Sequence, residues 1–243
     1  MDSVSPSCAT LRTMAATNLR ALHRWTIAVT AIGGSLLLLM GTWLHPMSTD
    51  PNNATAAFGE YAVCKYWVII HLLQFGGVIL IVWALVSLGQ FLIDGTAGAL
   101  AVLGLATAVA SLSAAAALQA VDGVALKAMV DAWAAAPREE KNSLFYAAFA
   151  VRQIEIGLAA MTSSLFGVTA SLFGIALFRD ERFSRWLGVI GVAGGIPLTI
   201  SAVVMAHQGF SELAMDTNMP SSLVLALWMI AIGVQALRSR ADT

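Results

Sequence analysis

Six stretches of this chain are apolar for long enough to cross a bilayer, and nothing else in the sequence limits its fold as strongly. They cover residues 25–45, 67–92, 99–120, 144–178, 186–207 and 221–237. A helix rises about 1.5 Å per residue, so about 20 mostly apolar residues traverse a hydrocarbon core roughly 30 Å thick. The expected fold is therefore all-α, a polytopic membrane helical bundle of about six transmembrane helices. Charge supports this reading. Charged residues make up 11% of the 243, and 58% are hydrophobic, whereas a soluble domain carries about 25% charged residues. Such a chain cannot cover a water-facing surface, but lipid solvates the excess apolar area. The expected location is the cell membrane, as a multi-pass protein.

The first run follows a polar lead, residues 1–24. It is longer than the apolar core of a secretory signal, which is about 7–15 residues, so it reads as an uncleaved first helix. The fourth run exceeds one span and is expected to tilt or to project past the bilayer. Residues 121–142 read as a loop between the third and fourth spans. Within it, 124–135 has apolar residues at helical spacing, as in a short interfacial helix, and Pro137 with the charges of 138–141 ends it.

Basic residues orient the bundle. The N-terminal side carries Arg12, Arg20, Arg24, Arg179, Arg182, Arg185, Arg238 and Arg240, against Lys65, Lys127, Arg138 and Lys141 on the other. The positive-inside rule makes the arginine-rich side cytoplasmic, with both termini inside. The chain then divides into a cytoplasmic segment 1–24, a six-helix domain 25–237 with the extracytoplasmic loop 121–142, and a cytoplasmic tail 238–243. Net charge is −1, so no basic field points to nucleic acid. Cys8 and Cys64 lie far apart, make no metal-type spacing and read as free thiols.

Small residues recur where helices would meet. Ser163, Gly167 and Ser171 repeat every four residues, and Gly33–Gly34 and Gly76–Gly77 offer further close approaches. The fifth span holds Gly188, Gly191, Gly194, Gly195 and Pro197, which suits either close packing or a kink.

Ionisable groups within a span are costly, and they mark candidate function. His71 and Gln74 share one face of the second span, and Arg152 and Glu155 share one face of the fourth. His45 ends the first span, and His207 with Gln208 ends the fifth. All fall near the extracytoplasmic side. His71, His207, Glu155 and His45 are the candidate ligands for a first-row transition metal or a haem iron. Arg152 is the candidate partner for an anion such as a carboxylate, a lipid phosphate or a haem propionate, because its planar fork suits those acceptors. Gln74 and Gln208 are supporting polar groups. The spacing matches no His-Glu-x-x-His zinc motif, no Gly-x-Ser-x-Gly elbow and no phosphate loop, so no reaction is assigned.

Three readings follow. The first is a membrane protein whose extracytoplasmic-facing intramembrane polar site binds a metal, haem or small anionic ligand. The second is a small transporter or channel, suggested by the glycine- and proline-rich fifth span. The third is a non-catalytic membrane subunit or assembly factor, whose small-residue stripes would meet a membrane partner or another copy of the chain.

Overall fold

The structure, a computed structural model, describes residues 8–238, with side chains from Ala21 onward. The Cys8, Arg12 and Arg20 side chains and the whole of Arg240 lie outside the described residues. Eight α-helices form among the described residues. They are α1 (Cys8–Leu44), α2 (Ala54–Val63), α3 (Trp67–Leu92), α4 (Gly98–Gln119), α5 (Lys127–Ala135), α6 (Lys141–Arg179), α7 (Arg185–Gln208) and α8 (Glu212–Arg238). Among the described residues, six uninterrupted helical stretches are long and apolar enough to span a membrane. No strand occurs among the described residues. The chain is an all-α polytopic membrane bundle, as its hydropathy requires.

The spans close into a ring in chain order. α1 packs on α3, α3 on α4, α4 on α6, α6 on α7, α7 on α8, and α8 returns to α1. Short connections make each neighbour antiparallel to the last. Residues such as Val29, Leu36, Ile69, Trp83, Ile200 and Leu227 stay exposed on the outside, where lipid replaces water as their solvent.

Small residues set the closest approaches. A Cβ placed on Gly167 would lie 2.6 Å from the carbonyl oxygen of Gly195, and one on Gly174 would lie 2.8 Å from that of Gly188. The stripe on α6 therefore meets the glycines of α7 backbone to backbone. Gly34 and Gly77 do the same between α1 and α3, each with the other's carbonyl 2.8 Å from an added Cβ. Gly76 meets nothing within 4 Å. The glycines of α7 thus serve packing, and α7 runs unbroken through Pro197.

Two boundaries differ from expectation. The third span does not stop at 120. It continues through a π-helical stretch, Ala120–Leu126, directly into α5, so Gly98–Ala135 is one helical stretch of 38 residues. No proline or solvated turn interrupts it, and a π stretch absorbs an extra residue without breaking the ladder. The last helix also begins early, at Glu212, and runs through Pro220. At about 1.5 Å per residue, the 38-residue stretch and the 39-residue α6 exceed the bilayer core by far. They project together at one end, where α2 joins them. Ala57, Phe58, Tyr61, Trp67, Leu126, Val130 and Ala148 form a small second core there. This cap covers the end of the bundle that carries the polar residues.

Candidate metal centre

The site forms where the cap meets the spans. α1 ends at Leu44, and His45 follows in a turn, its N–H donating to the Thr42 carbonyl at 3.3 Å. The next segment is held by Glu60 on α2. Both backbone N–H groups and both hydroxyls of Ser48 and Thr49 donate to its carboxylate. Partial burial pushes the Glu60 carboxyl up, but these bonds outweigh it and hold it down at about 2. Glu60 thus fixes the exit of α1 and, with it, the placement of His45.

Trp67 and His71 are one turn apart on α3 and are 1% and 2% exposed. The π stretch brings Asp122 to them. Trp67 Nε1–H donates to the Asp122 carbonyl at 3.0 Å, and His71 Nε2 lies 3.0 Å from Asp122 Oδ2. Gly123 lies directly against the ring. A Cβ there would fall 2.7 Å from the His71 Cβ, so only glycine admits the imidazole at this depth. The His45 ring meets that of His71 edge to face, with centroids 5.1 Å apart. One nitrogen from each histidine and one Asp122 oxygen lie within 4.8 Å of one another.

Donor logic sharpens this cluster. His71 Nδ1 is 2.8 Å from the Trp67 carbonyl oxygen. A carbonyl only accepts, so Nδ1 carries the proton. Nε2 then faces a carboxylate oxygen, which in its ionised form also only accepts. With Asp122 ionised, two species satisfy that geometry. One is a doubly protonated imidazolium paired with Asp122, and the other is a neutral imidazole sharing a cation with Asp122. The second matches the habit of metal-bound histidines, which donate their other N–H to a backbone carbonyl. Asp122 Oδ1 and Gln119 Oε1 are buried without a partner.

The second charged pair lies alongside. Arg152 Nη1 donates to both Glu155 oxygens at 2.8 and 2.7 Å, with the side chains 5% and 4% exposed. Nη2 donates to the Pro51 carbonyl at 3.1 Å, and Nε has no partner. The guanidinium covers the Tyr61 ring at 5.5 Å and the Phe210 ring at 4.7 Å. Tyr61 also stacks on Trp67 at 4.3 Å and touches His45 at 6.5 Å. One tyrosine therefore joins the two groups. Burial, then the carboxylates of Glu155 and Asp122, raise its hydroxyl to about 12 against the opposing pull of Arg152, so it stays neutral.

Of the residues singled out by sequence, His45 and His71 meet, and Arg152 with Glu155 lies next to them across Tyr61. Gln74 sits a turn below His71 and accepts from Gln119 Nε2 at 3.5 Å. His207 and Gln208 are exposed at the end of α7 and do not join the cluster. Gln208 instead accepts from Ser211 at 3.3 Å. Asp122, Tyr61 and Gln119 were not foreseen as site residues. Asp122 was placed in a loop because the third span was ended too early, and Tyr61 lies between spans with no periodicity to mark it.

Comparison with known proteins places the chain in a family without assigning an activity. A family model described as a domain of unknown function (DUF4386) matches residues 26–233, and the chain belongs to that family. No curated protein and no solved structure matches it.

Proposed function

We propose that this integral membrane protein binds a divalent first-row transition ion through His45, His71 and Asp122, close to its extracytoplasmic face. The observation that carries the reading is His71 Nε2 facing Asp122 Oδ2 at 3.0 Å while Nδ1 is committed to the Trp67 carbonyl. Bonds of about 2.0–2.1 Å to imidazole and carboxylate place neighbouring ligand atoms of a tetrahedral ion roughly 3.3 Å apart. The cluster's limit of 4.8 Å leaves only small side-chain rotations to reach that. Two imidazoles and one carboxylate suit zinc, iron or manganese and leave coordination positions for water or a ligand. Haem fits less well, because the edge-to-face contact of His45 and His71 at 5.1 Å leaves no slot for a porphyrin between the rings. Arg152, whose Nε–H is buried without a partner while Glu155 and Pro51 take its other donors, would orient an anionic group on the open side of the ion. The arginine-rich opposite end supports placing both termini in the cytoplasm.

Metal titration of chelator-stripped protein in mild detergent tests this. One ion per chain is expected for wild type. His71→Ala and Asp122→Ala are expected to weaken binding by about 100-fold or more, whereas His207→Ala changes it by less than about twofold. Folded wild-type protein that takes up no ion overturns the reading, as does equal sensitivity to His207→Ala.

A further inference from the structure

We propose that the outer seam between α6 and α7 binds one anionic phospholipid from the leaflet on the arginine-rich side, at the end of the bundle opposite the metal centre. Two cavities adjoin there. One is a groove of about 500 Å³ between α6 and α7, with Ile175, Phe178, Val189, Ala193, Ile196 and Pro197 among its walls. The other, of about 630 Å³, lies around the loop that joins the two helices and is lined by Arg179, Asp180, Glu181 and Arg185. Phe178 is a wall of both, so the charged cavity continues into the apolar groove.

The helix period builds this arrangement. Ile175 and Arg179 are one turn apart on α6, and Arg185, Val189, Val192 and Ile196 follow one another at helical spacing on α7. Each arginine therefore heads the apolar face of its own helix. Ile175, Phe178, Val189 and Ile196 are exposed, and Gly188 and Ala193 add little bulk between them. Along α7 the groove runs from Gly188 to Pro197, about 14 Å at roughly 1.5 Å per residue. That is about half of a hydrocarbon core roughly 30 Å thick, so the groove matches an acyl chain confined to one leaflet.

The charged cavity specifies the head group. Asp180 is taken by Arg182, at 2.6 and 2.9 Å. Among the described residues neither Arg179 nor Arg185 has an ion-pair partner. Two arginines against Glu181 leave a net charge of +1, which one phosphodiester balances. Guanidinium donors suit phosphate oxygens, and basic pockets between spans recur as sites for anionic head groups. The Arg185 guanidinium lies 5.9 Å from the centre of the Phe178 ring, where the two cavities adjoin. Trp186 beside it is 73% exposed, as in an aromatic belt at the interface. A lipid with one net negative charge, such as phosphatidylglycerol, satisfies both cavities. A zwitterionic head leaves the positive charge uncompensated.

The test is native mass spectrometry of the full chain in mild detergent, titrated with phosphatidylglycerol and phosphatidylcholine of identical acyl chains. One phosphatidylglycerol per chain is expected to bind about tenfold more tightly than phosphatidylcholine, the worth of a charge-assisted hydrogen bond. Arg179→Gln and Arg185→Gln are each expected to erase most of that preference. Arg238→Gln, at the same end of the bundle but outside the seam, is expected to change it by less than about twofold. Ala193→Phe fills the exposed groove and is expected to weaken phosphatidylglycerol binding about tenfold or more. Glycerol 3-phosphate, which carries the head chemistry without chains, is expected not to displace the lipid. Helical content and a single size-exclusion peak confirm that each variant is folded, and Ala193→Leu replaces Ala193→Phe should the latter fail. Equal binding of the two lipids overturns the proposal. So does an Arg238→Gln effect as large as that of Arg185→Gln, which is diffuse attraction to the whole arginine-rich end, and so does displacement by glycerol 3-phosphate. None of these outcomes bears on metal binding, which is measured at the opposite end.

Discussion

Glu155→Gln isolates the most heavily buried charge pair. Arg152 donates from one nitrogen to both Glu155 oxygens, and both side chains are almost fully enclosed, at 5% and 4% exposure. The guanidinium also meets the Pro51 carbonyl and the Tyr61 and Phe210 rings. Glutamine keeps the volume and one acceptor oxygen, but it removes the charge and turns an amide NH2 toward Nη1. Removing one partner of a buried pair typically costs about 3–5 kcal/mol, because the other charge remains buried and uncompensated. The two ring contacts and the nearby Asp122 carboxylate retain part of that, so the expected cost is about 3 kcal/mol. For a chain of this size, that lowers Tm by about 6–12 °C. The double change Arg152→Met with Glu155→Leu removes both charges and is expected within about 1 kcal/mol of wild type. Thermal unfolding in mild detergent, followed by intrinsic fluorescence, reads both. A single variant shifted by less than about 2 °C, or a double variant as unstable as the single, refutes the argument.

Further outcomes follow from the same geometry. Gly167→Val drives a side chain into the Gly195 carbonyl across α6 and α7 and is expected to cost about 2 kcal/mol or more, whereas Gly76→Ala, facing open space, changes stability by less than about 0.5 kcal/mol; thermal unfolding distinguishes them. Gly123→Ala pushes on the His71 ring and is expected to weaken metal affinity about tenfold or more with little change in helical content, measured by metal titration. Glu60 has a lowered folded-state pKa, from 4.5 to about 2, so its stabilising contribution is fully present above about pH 4.5 and is lost as pH falls toward 2. After discounting for solvent, that contribution is on the order of 1 kcal/mol. Glu60→Gln is expected to flatten the acid limb of a Tm–pH profile, and an unchanged limb contradicts the clamp.

The bundle was legible because lipid imposes one rule on every span, and length with apolarity states that rule residue by residue. The Ser163–Gly167–Ser171 stripe was legible for a related reason. Backbones approach only where side chains are small, and the glycines of α7 lie opposite it. The site was harder to read. His71 and the Arg152–Glu155 pair stood out because charge inside an apolar run is conspicuous. Asp122 did not, since its inward placement depends on a π stretch, and a π stretch leaves no period in a row of alanines and valines. Tyr61 was hidden differently. It reaches the site through the packing of α2 onto the cap, a tertiary contact with no local signature. His207 shows the converse, because a place at a span end suggested company with His45 and His71, whereas it is exposed at the end of α7 and the cluster forms without it.

X-ray absorption at the metal edge of the stoichiometrically loaded protein tests whether His45, His71 and Asp122 hold an ion. A first shell of nitrogen and oxygen at about 2.0–2.1 Å is expected, with outer-shell scattering from two imidazoles that drops to one in His45→Ala. A shell containing sulfur at about 2.3 Å, which would implicate Cys64, or an imidazole signal unchanged by His45→Ala, contradicts it.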